Sequence, residues 1–329
     1  MGTIPVGLTF AAFCTDFFSI TIRVTLLYKR HSILSTITYL QAVYSSLEHV
    51  KNSNKMSQLA LGVIISCTFP SVLLWYTVTL CYTGNEKILK HYIKYVIFGW
   101  SADNKWINCF VFVIVDHLLT LQQHVLSGFL IVLFWYLFEL LKQIIGSFLF
   151  TSQQENDLED LCKAYLKYSK TIVNCISSVE QSLSLLLILL YIYMVSTMFS
   201  VTTYLMRANL SVSPIAMVAS QIILLLVIII GFYVTSFQAK AVYDTAIKVK
   251  NCIYEMVSRS DSEDYDMKCL LLTMAEEFPS RVAIKVGGLF YLKRSFLQKT
   301  TSGILTYAVL LSQLEQQKVF KQVFESPPP

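Results

Sequence analysis

The chain of 329 residues is 55% apolar and 14% charged, with a mean hydropathy of +0.57, which does not suit a soluble 37.5 kDa domain and points to a bilayer. Its net charge of +5 is spread over the segments between apolar runs rather than gathered in one basic, aromatic-interleaved patch, which argues against nucleic acid as a partner. Eight cysteines without a Cys-x-x-Cys pair argue against a zinc or redox centre, so neither metal nor cofactor is expected.

The first predicted span, Gly2 to Tyr28, carries Asp16 and Arg23 seven positions apart on one helix face, as packing or pairing residues inside a bundle. Met1 to Pro5 has no basic residue ahead of the apolar run, so the span reads as retained rather than as a cleaved signal. Leu59 to Tyr82, Leu183 to Met206 and Pro214 to Gln238 are uncharged runs that exceed the roughly 20 residues a spanning helix needs. Between them, Ile107 to Phe138 is expected as one span, with Asp116, His117 and His124 turned to the bundle interior. The sixth span, Ser295 to Leu314, is the least apolar. Only 15 of its residues, between Lys299 and Glu315, are free of charge. They cover roughly 22 Å of a hydrocarbon core about 30 Å thick, which suits a protein-lined or water-lined place.

Seventeen Lys and Arg fall on the side of Lys29–Gln58, Glu139–Ser182 and Ala239–Ser295, against 7 on the other, so the first side is expected to be cytoplasmic and both termini outside. The acceptor triplet Asn209-Leu210-Ser211 then lies in an outer loop. Cys81 and Cys109 flank another outer loop, as a disulfide or, in the preferred reading, as buried apolar thiols. On the cytoplasmic side, Leu158–Ser178 and Val242–Val257 are periodic. Val242, Ala246, Val249, Ile253 and Met256 form one apolar stripe. Such segments are extensions of membrane helices or a helical domain joining copies of the chain. Arg259 to Asp266 reads as a solvated loop, and Ser326-Pro327-Pro328-Pro329 cannot continue a helix.

A ligand arriving from outside would meet the outer halves of the spans. The candidates there are Trp75 and Tyr76, Asp116 and His117, Tyr193, Thr197 and Ser200, and Gln221. For the aromatics, ordinary helix packing is the competing explanation; for Asp116, a structural hydrogen bond competes with ligand contact.

In the last span Ser302, Thr306, Leu310 and Gln313 fall within roughly an 80° arc. The opposite side is assigned Ile304, Leu305, Ala308, Val309 and Leu311, to pack on neighbours or lipid. Two explanations of the polar stripe stand side by side. Its hydroxyls bond to their own helix or across a helix interface. Alternatively, one such helix from each of several subunits lines a pore, with Leu310 a constriction and Gln313 a polar ring near the outer mouth.

At these residues the chain resembles a family. Thr306-Tyr307, five residues, then Gln313-Leu314 is similar to the TYhhhhhQF signature that closes the gustatory receptors of insects and other arthropods, relatives of insect odorant receptors, with Leu314 in place of Phe. Gly287-Gly288-Leu289-Phe290 with Ser295 and Phe296, and Ser236 to Ala246 behind the fifth span, resemble the family's approach to its last helix. The resemblance implies a plasma-membrane, multi-pass chemoreceptor of sensory neurons. It also implies a homo- or hetero-tetramer with related receptors, opened by a small-molecule tastant to pass cations along a pore lined by the last helices. The family has seven spans and six are visible here, so the resemblance implies a missing first helix.

The expected fold class is therefore an all-α polytopic transmembrane bundle. Its parts are a ligand-binding bundle with cytoplasmic helical loops (1–238), a cytoplasmic helical segment (239–295), the pore-lining helix (296–314) and an extracellular tail (315–329). The alternatives are weaker. A G-protein-coupled receptor requires the C-terminus inside and lacks its Asp-Arg-Tyr and Asn-Pro-x-x-Tyr signatures here. A secondary transporter with a path along Asp16, Arg23 and Asp116 predicts internal repeats, and none is evident. Asp116-His117 is too little for an enzyme.

Overall fold

A computed structural model of the chain describes residues 6–47, 104–116, 122–152, 158–207, 215–260, 264–286, 290–291, 298–304, 306, 307, 309, 310 and 313. The predicted span Leu59–Tyr82, and with it Trp75 and Tyr76, lies outside them, as do His117, Asn209, Leu314 and the tail. The fold is an all-α bundle of long helices: α1 (Val6–Ser45), α2 (Lys105–Asp116), α3 (Gln122–Ser152), α4 (Leu158–Arg207), α5 (Ile215–Arg259) and α6 (Tyr265–Val282). A two-stranded antiparallel hairpin follows, β1 (Lys285–Val286) and β2 (Phe290–Tyr291), with Lys285 opposite Tyr291 and Val286 opposite Phe290. The described residues from 298 to 313 are helical and are termed α7. Among the described residues three helices are long and apolar enough to cross a membrane, at Val125–Leu149, Glu159–Met206 and Gln221–Arg259.

The predicted third span is corrected at its far end. Ile107–Phe138 falls on α2 and α3, with residues 117–121 between them outside the described residues. The crossing helix then runs on to Ser152, well past Phe138. Hydropathy ended the span at Glu139, but Lys142 pairs with Glu139 at 3.1 Å and Gln143 donates to the same carboxylate at 3.0 Å, so the charges neutralise each other along the helix surface.

The two amphipathic segments continue membrane-capable helices. Residues 158–178 open the 50-residue α4, and 242–257 close the 45-residue α5, so these rods reach about 75 and 68 Å at 1.5 Å per residue. Val242, Ala246, Val249 and Ile253 are fully buried beside Leu271, Ala275, Phe278 and Val282 of α6. The same cluster takes in Tyr165 of α4. Its ring meets Phe278 and Phe148 edge-on, and its hydroxyl donates to the Met274 carbonyl at 3.0 Å.

Local signals set the short elements. Asn104 Oδ1 accepts the Trp106 N–H at 2.9 Å ahead of α2, and Asp264 caps α6 by accepting from the Met267 N–H at 3.0 Å. At its far end α6 holds Pro279, whose carbonyl accepts the Ala283 N–H at 3.0 Å as the chain turns into β1. Within α1, Thr21, Thr25 and Thr38 return their hydroxyls to carbonyls one turn back, at 2.7–3.0 Å, which satisfies them within their own helix.

Helices α1 and α4 run antiparallel, joined by a ladder of polar contacts. Lys29 Nζ donates to the Gln181 carbonyl at 2.9 Å, Ser32 and Ser182 share a hydrogen bond of 2.8 Å, and Thr36 reaches Ser178 and Ser182 at 3.1 and 2.8 Å. Three of the basic segments of the sequence, in α1, α4 and α5 with α6, therefore meet at one end of the bundle.

Candidate functional site

Helix α7 is docked along one side. Tyr307 meets Phe199 of α4 edge-on, with ring centroids 4.6 Å apart at 89°, and its hydroxyl lies 3.4 Å from Thr203 Oγ1. Thr301 shares a 2.8 Å hydrogen bond with the Tyr233 hydroxyl of α5, and Ile304 packs against the core. Thr301, Ile304 and Tyr307 follow at three-residue spacing, so one helix face carries all three.

The other face is open. Ser302, Thr306 and Gln313 are exposed and Leu310 keeps 52% of its surface, so all four predicted stripe residues point away from the bundle. Gln298, Lys299, Ser302, Gly303, Thr306, Tyr307 and Leu310 line an open groove of about 660 Å³ along α7. The Thr306 hydroxyl donates to the Ser302 carbonyl at 2.8 Å, so one stripe hydroxyl is satisfied by its own backbone.

The assignment of Val309 to the packing side is corrected. It is 55% exposed, because seven residues at 100° each bring it to about 20° from Ser302, beside the stripe. Within the family-like motif the two neighbours divide the work: Thr306 faces outward while Tyr307 anchors the helix. That division follows from the 100° step between consecutive residues.

A second polar feature lies between α1, α3 and α4. Tyr193 and Thr197 are buried, at 1% and 3% exposure, and the Thr197 hydroxyl donates to the Tyr193 carbonyl at 2.8 Å. The Tyr193 hydroxyl shares hydrogen bonds with Ser127 and Thr197, within electrostatic reach of Asp16 and Arg23. Asp16, Ser19 and Arg23 share a face of α1 at positions i, i+3 and i+7. The α1–α4 register, followed outward from Lys29 and Gln181, sets Ser19 level with Tyr193. Ser19 is 2% exposed and its hydroxyl oxygen has no hydrogen-bond partner.

Ser19 and Ser127 were not singled out from sequence. For Ser19 the signal was present, a small hydroxyl on the same face as Asp16 and Arg23; for Ser127 there was none. Ser200 is half-buried on the Tyr193 face of α4, and Gln221 is half-buried on α5; no hydrogen bond joins either to Tyr193. Asp116 closes α2. Among the described residues no cluster of His, Cys, Asp and Glu could hold a metal.

The expectation for Cys109 is also corrected. It is buried, but it is disulfide-bonded rather than an apolar thiol, with its partner outside the described residues. Sequence alone left the pairing open because two cysteines either side of a 27-residue interval pair only if the fold brings them together.

No protein-family model matches the sequence, and no curated protein matches it. Solved structures match over nearly the whole chain, among them two of one receptor. The insect olfactory receptor OR5 from Machilis hrabei is similar with a TM-score of 0.61 at 13% identity, over 95% of this chain and 83% of that one. The same receptor in complex with eugenol gives 0.55 at 12% identity, over the same shares. At these identities the likeness is one of fold, a helical transmembrane bundle.

Proposed function

We propose that the chain is a subunit of a ligand-gated, non-selective cation channel of the insect chemoreceptor type, a gustatory receptor detecting a small molecule, with the last helix of each of four subunits lining the pore. The observation that carries this reading is the two-sided character of α7. Tyr307, Ile304 and Thr301 hold it to α4 and α5, while Ser302, Thr306, Leu310 and Gln313 stay exposed. In lipid the Gln313 amide would lack partners, at a cost of several kcal/mol on hydrocarbon scales. A water-filled axis supplies them. One subunit has one such helix and cannot enclose a pore, so the reading requires related copies around an axis, homomeric or heteromeric.

The orientation that fits has the C-terminus outside, supported by the 17 to 7 division of basic residues and by the disulfide at Cys109, since disulfides persist on the oxidising side. The ligand region is then the outer cluster of Tyr193, Thr197, Ser127 and Ser19. Likeness to a receptor solved with eugenol supports a small organic ligand. A plasma-membrane site in sensory neurons follows from the same reading.

Whole-cell recording at matched surface expression tests the pore. Leu310→Ser should weaken a dewetting barrier and raise resting current, and Gln313→Glu should favour divalent cations. Ile304→Ser, on the docked face, should instead lower surface expression. Unchanged leak and permeability in the first two variants would remove the pore role and return the stripe to interhelical hydrogen bonding.

A further inference from the structure

Lys299 shares the open face of α7. Three positions before Ser302, it falls within the roughly 80° arc that holds Ser302, Thr306, Leu310 and Gln313. It is exposed, and it lines the same groove as Ser302, Thr306 and Leu310. The stripe of neutral side chains therefore ends, at the start of the helix, in a positive charge.

No counter-charge lies at hand. Among the described residues Lys299 makes no ion pair, and the sequence has no Asp or Glu between Glu277 and Glu315. Thr301 sets the level of this turn against Tyr233 of α5. From Tyr233 onward the first acid of α5 is Asp244, which is already paired with Lys240 at 3.1 Å.

We infer that Lys299, one from each subunit, forms a ring of positive charge at the inner mouth of the pore and makes the channel pass cations more readily inward than outward. The inference rests on the pore reading proposed above. With the C-terminus outside, the axis runs inward from Gln313 through Leu310, Thr306 and Ser302 to Lys299, about 21 Å at 1.5 Å per residue. Cations entering from outside meet neutral side chains first. Those entering from the cytosol meet the ring first, and its field thins them at that mouth. Salt weakens such a field, since the Debye length falls from about 8 Å at physiological ionic strength to about 3 Å at about 1 M.

The test uses the full chain carrying Leu310→Ser, whose resting current needs no ligand. In symmetric monovalent salt, outward and inward currents are compared at equal and opposite voltages. The outward current should be smaller by about twofold and should draw level as salt rises toward about 1 M. Adding Lys299→Gln should make the two currents equal at physiological salt, and Lys299→Glu should make the outward one the larger. In excised patches, Lys299→Cys is treated from the inner side with a negative or a positive methanethiosulfonate, against Leu310→Ser alone because Cys269 is exposed. The negative reagent should raise the outward current and the positive one should restore the parent ratio. These reagents decide should Lys299→Gln fail to reach the surface. Equal currents in Leu310→Ser, or a ratio that neither the substitutions nor the reagents move, overturns the ring and leaves the pore standing. A Leu310→Ser chain with no current above the parent at matched surface expression removes the pore, and the ring with it.

Discussion

Glu180 Oε1 accepts the backbone N–H of Lys285 at 2.9 Å, across 105 positions of sequence. Lys285 opens β1, on the approach to α7. The next two residues of α4 face the other way: the Gln181 carbonyl takes Lys29, and Ser182 bonds Ser32 and Thr36. Three consecutive residues therefore tie α4 to α1 and to the hairpin ahead of α7. Removing the carboxylate with Glu180→Ala should cost about 1 kcal/mol locally and speed amide exchange at Lys285 about fivefold, with Val286 following. Exchange unchanged by mass spectrometry would show that the bond does not hold the strand.

Across α5 and α6, Lys250 Nζ and the Tyr254 hydroxyl converge on Glu276 Oε2, the latter at 2.9 Å. Hydrogen bonds from Lys250, then Tyr254, hold the Glu276 carboxyl below its ordinary value of 4.5. A carboxylate whose pKa falls on folding stabilises above the unfolded value and loses that contribution as pH falls through the folded one. Protection of α6 should thus decline below about pH 4.5 and regain nothing at higher pH. In Glu276→Gln this part of the pH dependence should vanish, leaving α6 equally protected on both sides of that value.

Tyr307 is expected to hold α7 by its ring rather than its hydroxyl, which stands 3.4 Å from Thr203 Oγ1. Tyr307→Phe should melt close to the parent, whereas Tyr307→Ala should lose about 1–3 kcal/mol and reduce the yield of monodisperse protein. Equal melting of the two variants would place the weight on something other than the Phe199 contact.

Gly231 of α5 sits against Ile131 of α3. A Cβ there would stand 2.5 Å from Ile131 Cδ1 and 3.4 Å from Cγ1. Gly231→Ala should destabilise by about 1–2 kcal/mol even though alanine is the better helix former. Ile131→Val removes Cδ1, so the double variant should recover most of the loss in thermal melts. Gly231→Ala melting at or above the parent would contradict the α3–α5 packing.

A tag after Pro329 should stain on intact cells, given the basic bias and the disulfide at Cys109. Staining confined to permeabilised cells would reject the proposed topology and the gustatory-receptor reading with it.

The sequence by itself determined the class of molecule and the periodic faces. Apolar content and run length require helices in a bilayer, because backbone groups there must be satisfied within the segment. A period of 3.6 likewise put Val242, Ala246, Val249 and Ile253 on one side, and all four are buried. The stripe of Ser302, Thr306, Leu310 and Gln313 was legible for the same reason. What lay beyond reach was anything fixed by a partner distant in sequence. The continuation of α3 past Glu139, the disulfide at Cys109 and the meeting of Ser19, Ser127 and Tyr193 each depend on which helices lie side by side. Periodicity gives each helix an inside and an outside. Only the packed bundle decides what the inside of each one meets.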